Sequence, residues 1–187
     1  MVFQRTLIWR SIWKPLTITR NTNEEEIVII NLLSTDIDSN NLTYTLLSDA
    51  TNGSITIDGQ LATYLPNLNY NGPDEFTFQV SDGELTDNAS VSLFVNAVND
   101  APILTAIDDI TFSEDNVYSL NLEAIDYDGD ILSYSVEGGN LISTSINNGT
   151  LFFDPADNFF GIESFVVTAS DGELSDIQII VVSVLSV

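Results

Sequence analysis

The sequence predicts an all-β protein built as two tandem seven-stranded β-sandwiches. Three observations carry that prediction: apolar residues alternate with polar ones at a period of two, turn signals separate the alternating runs, and the whole pattern occurs twice.

The repeat fixes the organisation. Asn31-Leu32 returns as Asn121-Leu122, and DIDSNNLTY (Asp36–Tyr44) returns as DYDGDILSY (Asp126–Tyr134), an offset of 90 residues. NYNGPDEFTFQVSDGEL (69–85) returns as NFFGIESFVVTASDGEL (158–174), where the offset is 89. Ahead of these, Glu24-Glu25 matches Glu114-Asp115, and Pro15-Leu16 resembles Pro102-Ile103 as the start of each copy. The expected division is therefore a basic segment at 1–14, a first repeat at 15–98, a linker at 99–102 and a second repeat at 103–187. At 187 residues, two domains of ordinary size fit.

Within the first copy, seven runs read as strands, at about 16–20, 26–32, 42–47, 54–57, 61–65, 76–81 and 89–95. Phe76, Phe78 and Val80 alternate with Thr77, Gln79 and Ser81, which gives one buried and one exposed face. Asn52-Gly53, Asp58-Gly59, Asn71-Gly72-Pro73 and Asp82-Gly83 mark turns. No stretch of ten or more residues has helical spacing. Seven short strands in about 90 residues read as an immunoglobulin-like Greek-key sandwich.

Charge is the second signal. Arg5, Arg10, Lys14 and Arg20 are all the basic residues, whereas all 28 Asp and Glu lie between Asn21 and Val187, where there is no histidine either. That body has no cations with which to meet phosphates, so nucleic acid is excluded as its partner. No apolar run reaches the roughly 18 residues of a membrane-spanning helix. Without Cys or His, Ser-His, Cys-His and zinc-His chemistry have no residues to work with, and the chain reads as a non-enzyme. An anionic body must live in salt, repel itself or collect cations, and calcium takes six to eight oxygen ligands, many of them carboxylates.

If strands alternate in direction, the turns of each copy fall at two ends. The near end of the second copy, where its chain enters, then holds Asp126, Asp128, Asp130 and Asp171. The far end of the first holds Glu24, Glu25, Asn69 and Asp74, and Asn96–Pro102 runs between. These oxygens are expected to converge on one junction.

Asp-x-Asp before a Leu-x-Tyr strand, a Phe-x-Val strand closed by Ser-Asp-Gly, and a last strand running into Val-Asn-Asp-Ala-Pro together resemble the cadherin-like tandem repeats of bacterial surface adhesins. The resemblance covers roughly residues 15–187. It implies an extracellular or cell-surface, calcium-dependent sandwich used for adhesion or as a stalk. By residue match it places Glu24, Glu25, Asn99, Asp100, Asp126, Asp128 and Asp171 as calcium ligands. Partial sites follow at the ends, from Asp36, Asp38 and Asp82 and from Glu114 and Asp115, which neighbouring repeats of a longer array would complete. The Asp-Arg-Glu motif of cadherins is missing, Asn69–Asp74 occupy a comparable region, and the ion number stays open. Besides calcium and neighbouring repeats, another cell surface or a glycan is an expected partner. Two rivals remain: a carbohydrate-binding sandwich using Tyr70, Phe159 and Phe160, although these rings are rather expected to plug the sandwich end, and a halophilic protein whose acids only hold water.

Overall fold

The computed structural model describes residues 12–13, 18–36 and 41–187. The basic segment, apart from the backbone of Ile12 and Trp13, and Asp38 lie outside the described residues. The chain divides into two compact units between Val98 and Asn99.

In the first unit the strands are β1 (Ile12–Trp13), β2 (Ile18–Asn23), β3 (Val28–Asn31), β4 (Thr35–Asp36), β5 (Thr43–Ser48), β6 (Gly53–Asp58), β7 (Leu61–Pro66), β8 (Gly72–Ser81) and β9 (Thr86–Asn96). A four-stranded sheet has the order β2-β9-β8-β5, a three-stranded sheet the order β3-β7-β6, and β1 pairs with β4. The second unit repeats this with β10 (Ile103–Leu104), β11 (Ile110–Ser113), β12 (Tyr118–Asn121), β13 (Ala124–Ile125), β14 (Ser133–Gly138), β15 (Ile142–Asn147), β16 (Thr150–Pro155), β17 (Gly161–Ser170) and β18 (Ser175–Leu185). Its sheets are β11-β18-β17-β14, β12-β16-β15 and β10-β13. No helix occurs among the described residues.

β2 pairs with β9, and β11 with β18, in parallel, while the other pairs are antiparallel. Seven main strands that alternate in direction demand this, because the first and the seventh then run the same way. The alternation read from sequence decides the faces. Phe76, Phe78, Val80, Val91, Leu93 and Val95 point inward and are buried, and all but Val80 share one core cluster with Ile30, Leu32 and Tyr64 from the side of the other sheet. Phe153, Phe165, Val167, Ile180 and Val182 do the same in the second unit, where the rings of Phe153 and Phe165 pack edge to face. Each such large side chain contributes about 1.5–3 kcal/mol through burial.

The structure departs from the sequence reading at two places. β8 and β9 begin at Gly72 and Thr86, ahead of the apolar runs, because backbone pairing continues through polar residues such as Asp74 and Glu75. The first strand of the second unit is also split. β10 pairs with β13, and the chain then crosses through 105–109 to join β18. Side chains of β18 satisfy the backbone of that crossing: Gln178 Nε2 donates to the carbonyls of Leu104 and Thr105, and Gln178 Oε1 accepts from Ile107 N–H.

One acid in each unit is wholly structural. The Asp74 carboxylate accepts from the N–H groups of Thr51, Asn52 and Glu75 and from the Tyr64 hydroxyl at 2.9 Å. Burial pushes the Tyr64 phenol well above its ordinary range, and the hydrogen bond and charge of Asp74 add to the rise. A folded-state pKa raised above the unfolded value of about 10 means that this contribution is complete below pH ~10 and is lost as pH rises. Chemical denaturation across an alkaline series is expected to show the first unit weakening above pH ~10. Tyr64→Phe should flatten that trend and cost about 1–3 kcal/mol at neutral pH. The second unit carries Phe153 at the same register position and should lack the trend.

Candidate metal-binding ends of the two units

At the far end of the first unit, the β2 ladder runs on: Glu24 N–H donates to the Asn96 carbonyl. Glu24, only 3% exposed, turns its carboxylate back so that Oε1 accepts from Val98 N–H. The next residue, Glu25, sits in the left-handed region at φ 57°, and its Oε1 accepts from Asn69 N–H at 3.0 Å. Asn69 is itself left-handed at φ 55°. Carboxylate oxygens of Glu24 and Glu25 come within 4.8 Å of one another. Each is held by one backbone donor, and no cationic side chain follows Arg20 in the sequence to offset the pair.

The second unit builds its own far end alike. Glu114 N–H donates to the Leu185 carbonyl, its Oε1 accepts from Val187 N–H, and Asp115 (φ 60°) accepts from the N–H of left-handed Asn158. The construction therefore belongs to the sequence pattern Glu-acid plus a distant Asn.

The near end of the second unit gathers more oxygens. Asp126 Oδ1 accepts from the N–H groups of Asp128 and Asp130, which closes the Asp-x-Asp loop on itself. Asp126 Oδ2 is buried and makes no hydrogen bond. Asp128 Oδ2 accepts from Asp100 N–H at 2.7 Å. Asp171 Oδ1 closes the β17–β18 turn by accepting from Glu173 and Leu174 N–H, while its Oδ2 takes the Asn99 amide at 2.8 Å. These bonds tie Asn99 to Asp171 and Asp100 to Asp128 and Asp126, and the peptide link between residues 99 and 100 joins the two groups. The Asn99 amide, then the Leu174 N–H, hold the Asp171 carboxyl below the usual carboxylate range, so it stays charged.

The near end of the first unit is described in part. Asp82 closes its turn as Asp171 does, with Oδ1 accepting from Glu84 and Leu85 N–H, and Asp36 ends β4 opposite Ile12. Asp38 is outside the described residues.

One sequence expectation needs correction, and one rival reading loses support. Asp74 is not among the free oxygens of the far end, because its carboxylate is spent on the loop after β5 and on Tyr64. Glu163 holds the matching position in the second unit, accepting from Asn140, Leu141 and Ile142 N–H, and was not singled out. The readable signal was an acid two residues after Gly72 and again after Gly161. The aromatic platform also fails to form. Tyr70 and Phe159 are partly buried against the cores, with the Tyr70 hydroxyl donating to the Pro73 carbonyl, and only Phe160 stands out, at 64% exposure.

Residues 13–94 and 99–183 each match the bacterial Ig domain family. Over 118 residues the chain is 27% identical to chitinase A of Pseudoalteromonas piscicida, covering 62% of this chain and 14% of that protein's length. Among solved structures, human protocadherin-24 EC1-2 superposes with a TM-score of 0.60 at 18% identity, covering 94% of this chain and 99% of that one. An endo-fucoidan hydrolase of glycoside hydrolase family 107 gives a TM-score of 0.42 at 20% identity, covering 94% of this chain and 28% of that one. The protocadherin likeness is one of fold.

The Asn99–Asp171 bond yields a direct expectation. Asn99→Ala removes the leading donor, so the Asp171 carboxyl should titrate at higher pH than in the parent chain. Carbon-detected NMR of the side-chain carboxyls across acid pH measures it; an unmoved midpoint would show that the amide does not hold this charge.

Proposed function

Because the chain belongs to the bacterial Ig domain family, we propose that its two domains form a non-catalytic, calcium-binding segment of an extracellular bacterial protein, serving adhesion or stalk extension. Calcium stiffens the connection between neighbouring domains. The observation that carries this reading is Asp126 Oδ2, a buried carboxylate oxygen with no hydrogen-bond donor, inside a cluster that supplies oxygens from Asn99, Asp100, Asp128 and Asp171. An orphaned buried anionic oxygen is costly unless a cation completes it.

The donor set fits a hard cation. Every candidate ligand atom is oxygen, and the chain has no Cys or His to favour zinc or copper. The proposed ligands are Glu24, Glu25, Asn99, Asp100, Asp126, Asp128 and Asp171. Chain connectivity supports joining the two sets. Glu24 grips Val98 N–H, and two peptide units limit Asp100 to about 7 Å from Val98 along the backbone. Calcium, when bound, supplies the positive charge that lets these acids share one space. The protein residues fix the linker on both sides: Glu24 through Val98, Asp171 through Asn99, and Asp128 through Asp100. Asp36, Asp38 and Asp82, and likewise Glu114 and Asp115, would serve adjacent repeats in the same way. The likeness to chitinase A favours one further setting, a spacer inside a larger secreted protein, where a stiffened link acts equally.

Calcium titration by calorimetry, with small-angle scattering in parallel, tests the reading. Binding is expected in the range of about 0.1–1 mM, as for extracellular modules. At 100 times that dissociation constant, stability should rise by about 2.7 kcal/mol per site. Asp126→Asn should weaken binding at least tenfold. Sodium at matched ionic strength stabilising as well as calcium would support the halophilic rival instead.

A further inference from the structure

We propose that the outer face of the four-stranded sheet in the second unit is a docking surface for a protein with an aliphatic centre and a rim bearing lysine or arginine. Five side chains make the face: Ile162, Val166, Ile177, Ile179 and Val181. The three isoleucines are 70%, 57% and 71% exposed. Strand register sets them side by side. Val166 lies opposite Ile179, Thr168 opposite Ile177, and Ser164 opposite Val181. The isoleucines alone expose an apolar area on the order of 350 Å², within the range of patches that mark interaction sites on monomers.

The first unit is an internal control. At the same register positions it carries Thr77, Asn88, Ser90 and Ser92 in place of Val166, Ile177, Ile179 and Val181. These polar residues bond among themselves and their neighbours: Gln79 Nε2 to Asn88 Oδ1, Ser90 Oγ to Glu75 Oε1, and Ser48 with Thr77. The fold thus holds this sheet without apolar residues at those four positions, and the exposed aromatic of that face, Phe94, sits at its edge where the second unit has Ser183. Four polar-to-apolar exchanges at adjacent positions, against a single reverse exchange from Phe94 to Ser183, give that face a role of its own.

Charge selects the occupant. Glu137 lies opposite Val166 on one flank. On the other flank Asp109, one step before the Ile110–Val182 pair, accepts from Val181 N–H. Between Asn21 and Val187 no cation balances them. A second copy would bring these acids against their own kind, and anionic lipid or nucleic acid would be repelled in the same way. A basic-rimmed protein surface meets both features, with charge setting encounter and the aliphatic centre setting residence.

The probe is a synthetic peptide alternating lysine and valine, titrated into the calcium-saturated, isotope-labelled chain and read by amide NMR. Shifts are expected at residues 162–168 and 177–181, and not on the matching face of the first unit. A peptide alternating lysine and serine should bind at least tenfold more weakly. Writing the first unit's residues into the second, as Val166→Thr, Ile177→Asn, Ile179→Ser and Val181→Ser together, should weaken the valine peptide at least tenfold. If that variant fails to fold, Ile179→Ser alone should weaken it severalfold. Equal binding of the serine peptide, shifts spread over both units, or no binding would overturn the proposal. So would dimerisation seen by sedimentation and abolished by the same exchanges, which would make a second copy the occupant.

Discussion

With no lysine, arginine or histidine between Asn21 and Val187, the carboxylates of both units find most of their donors in the backbone, helped by a few neutral side chains. Asp74 and Glu163 spend both oxygens on the loop that enters the three-stranded sheet's edge strand. Asp82 and Asp171 each spend Oδ1 on two N–H groups and so close the last hairpin. Asp126 does the same for its own loop. A charge-assisted bond of this kind is about twice as strong as a neutral one, so anions serve here as the rivets of turns.

That use leaves a remainder with consequences. A carboxylate has two oxygens, and a turn needs one. The second oxygen of Asp171 takes the Asn99 amide, that of Asp126 takes nothing, and Asp128 reaches the linker through Asp100 N–H. The same residues that shape the loops thereby concentrate unneutralised oxygen at the ends of the sandwich, away from the strands. A turn-forming role therefore leaves one oxygen of such an Asp available for the proposed metal-binding role.

Much of the architecture was legible because burial writes itself into sequence. Phe76, Phe78 and Val80 alternate as they do because one face of β8 is buried, Phe76 and Phe78 in the cluster of Ile30, Leu32 and Tyr64. The repeat then doubled every inference. What burial does not record was missed. Ladders extend through Gly72–Glu75 and Thr86–Asn88 on backbone bonds that leave no apolar trace. The crossing at 105–109 depends on Gln178, Asp176 and Asp109, polar residues far along the chain. At the ends, Glu24, Glu25, Asp126 and Asp171 were readable from the repeat. Asp74 misled, because its place in a turn says nothing about Tyr64, ten residues earlier, donating to it from the other sheet.

The two copies also show how one structural task is met by linked exchanges. In the first unit Asp74 reaches Thr51 and Asn52 N–H and gains the Tyr64 hydroxyl. In the second, Phe153 has no hydroxyl to offer, and the acid is the longer Glu163, which reaches Asn140, Leu141 and a third N–H, that of Ile142. Ile142 stands where the first unit has Gly53, and a Cβ on Gly53 would run into the Tyr64 ring and the Leu65 carbonyl. Gly53, Tyr64 and Asp74 therefore work as one set and Ile142, Phe153 and Glu163 as another. A side chain on Gly53 brings a clash with the Tyr64 ring, and loss of the Tyr64 hydroxyl leaves an Asp74 oxygen one donor short. Near-identical folds thus rest on two chemically closed solutions, and the carboxylate, satisfied by whatever N–H or O–H the local backbone presents, is the member around which each set is arranged.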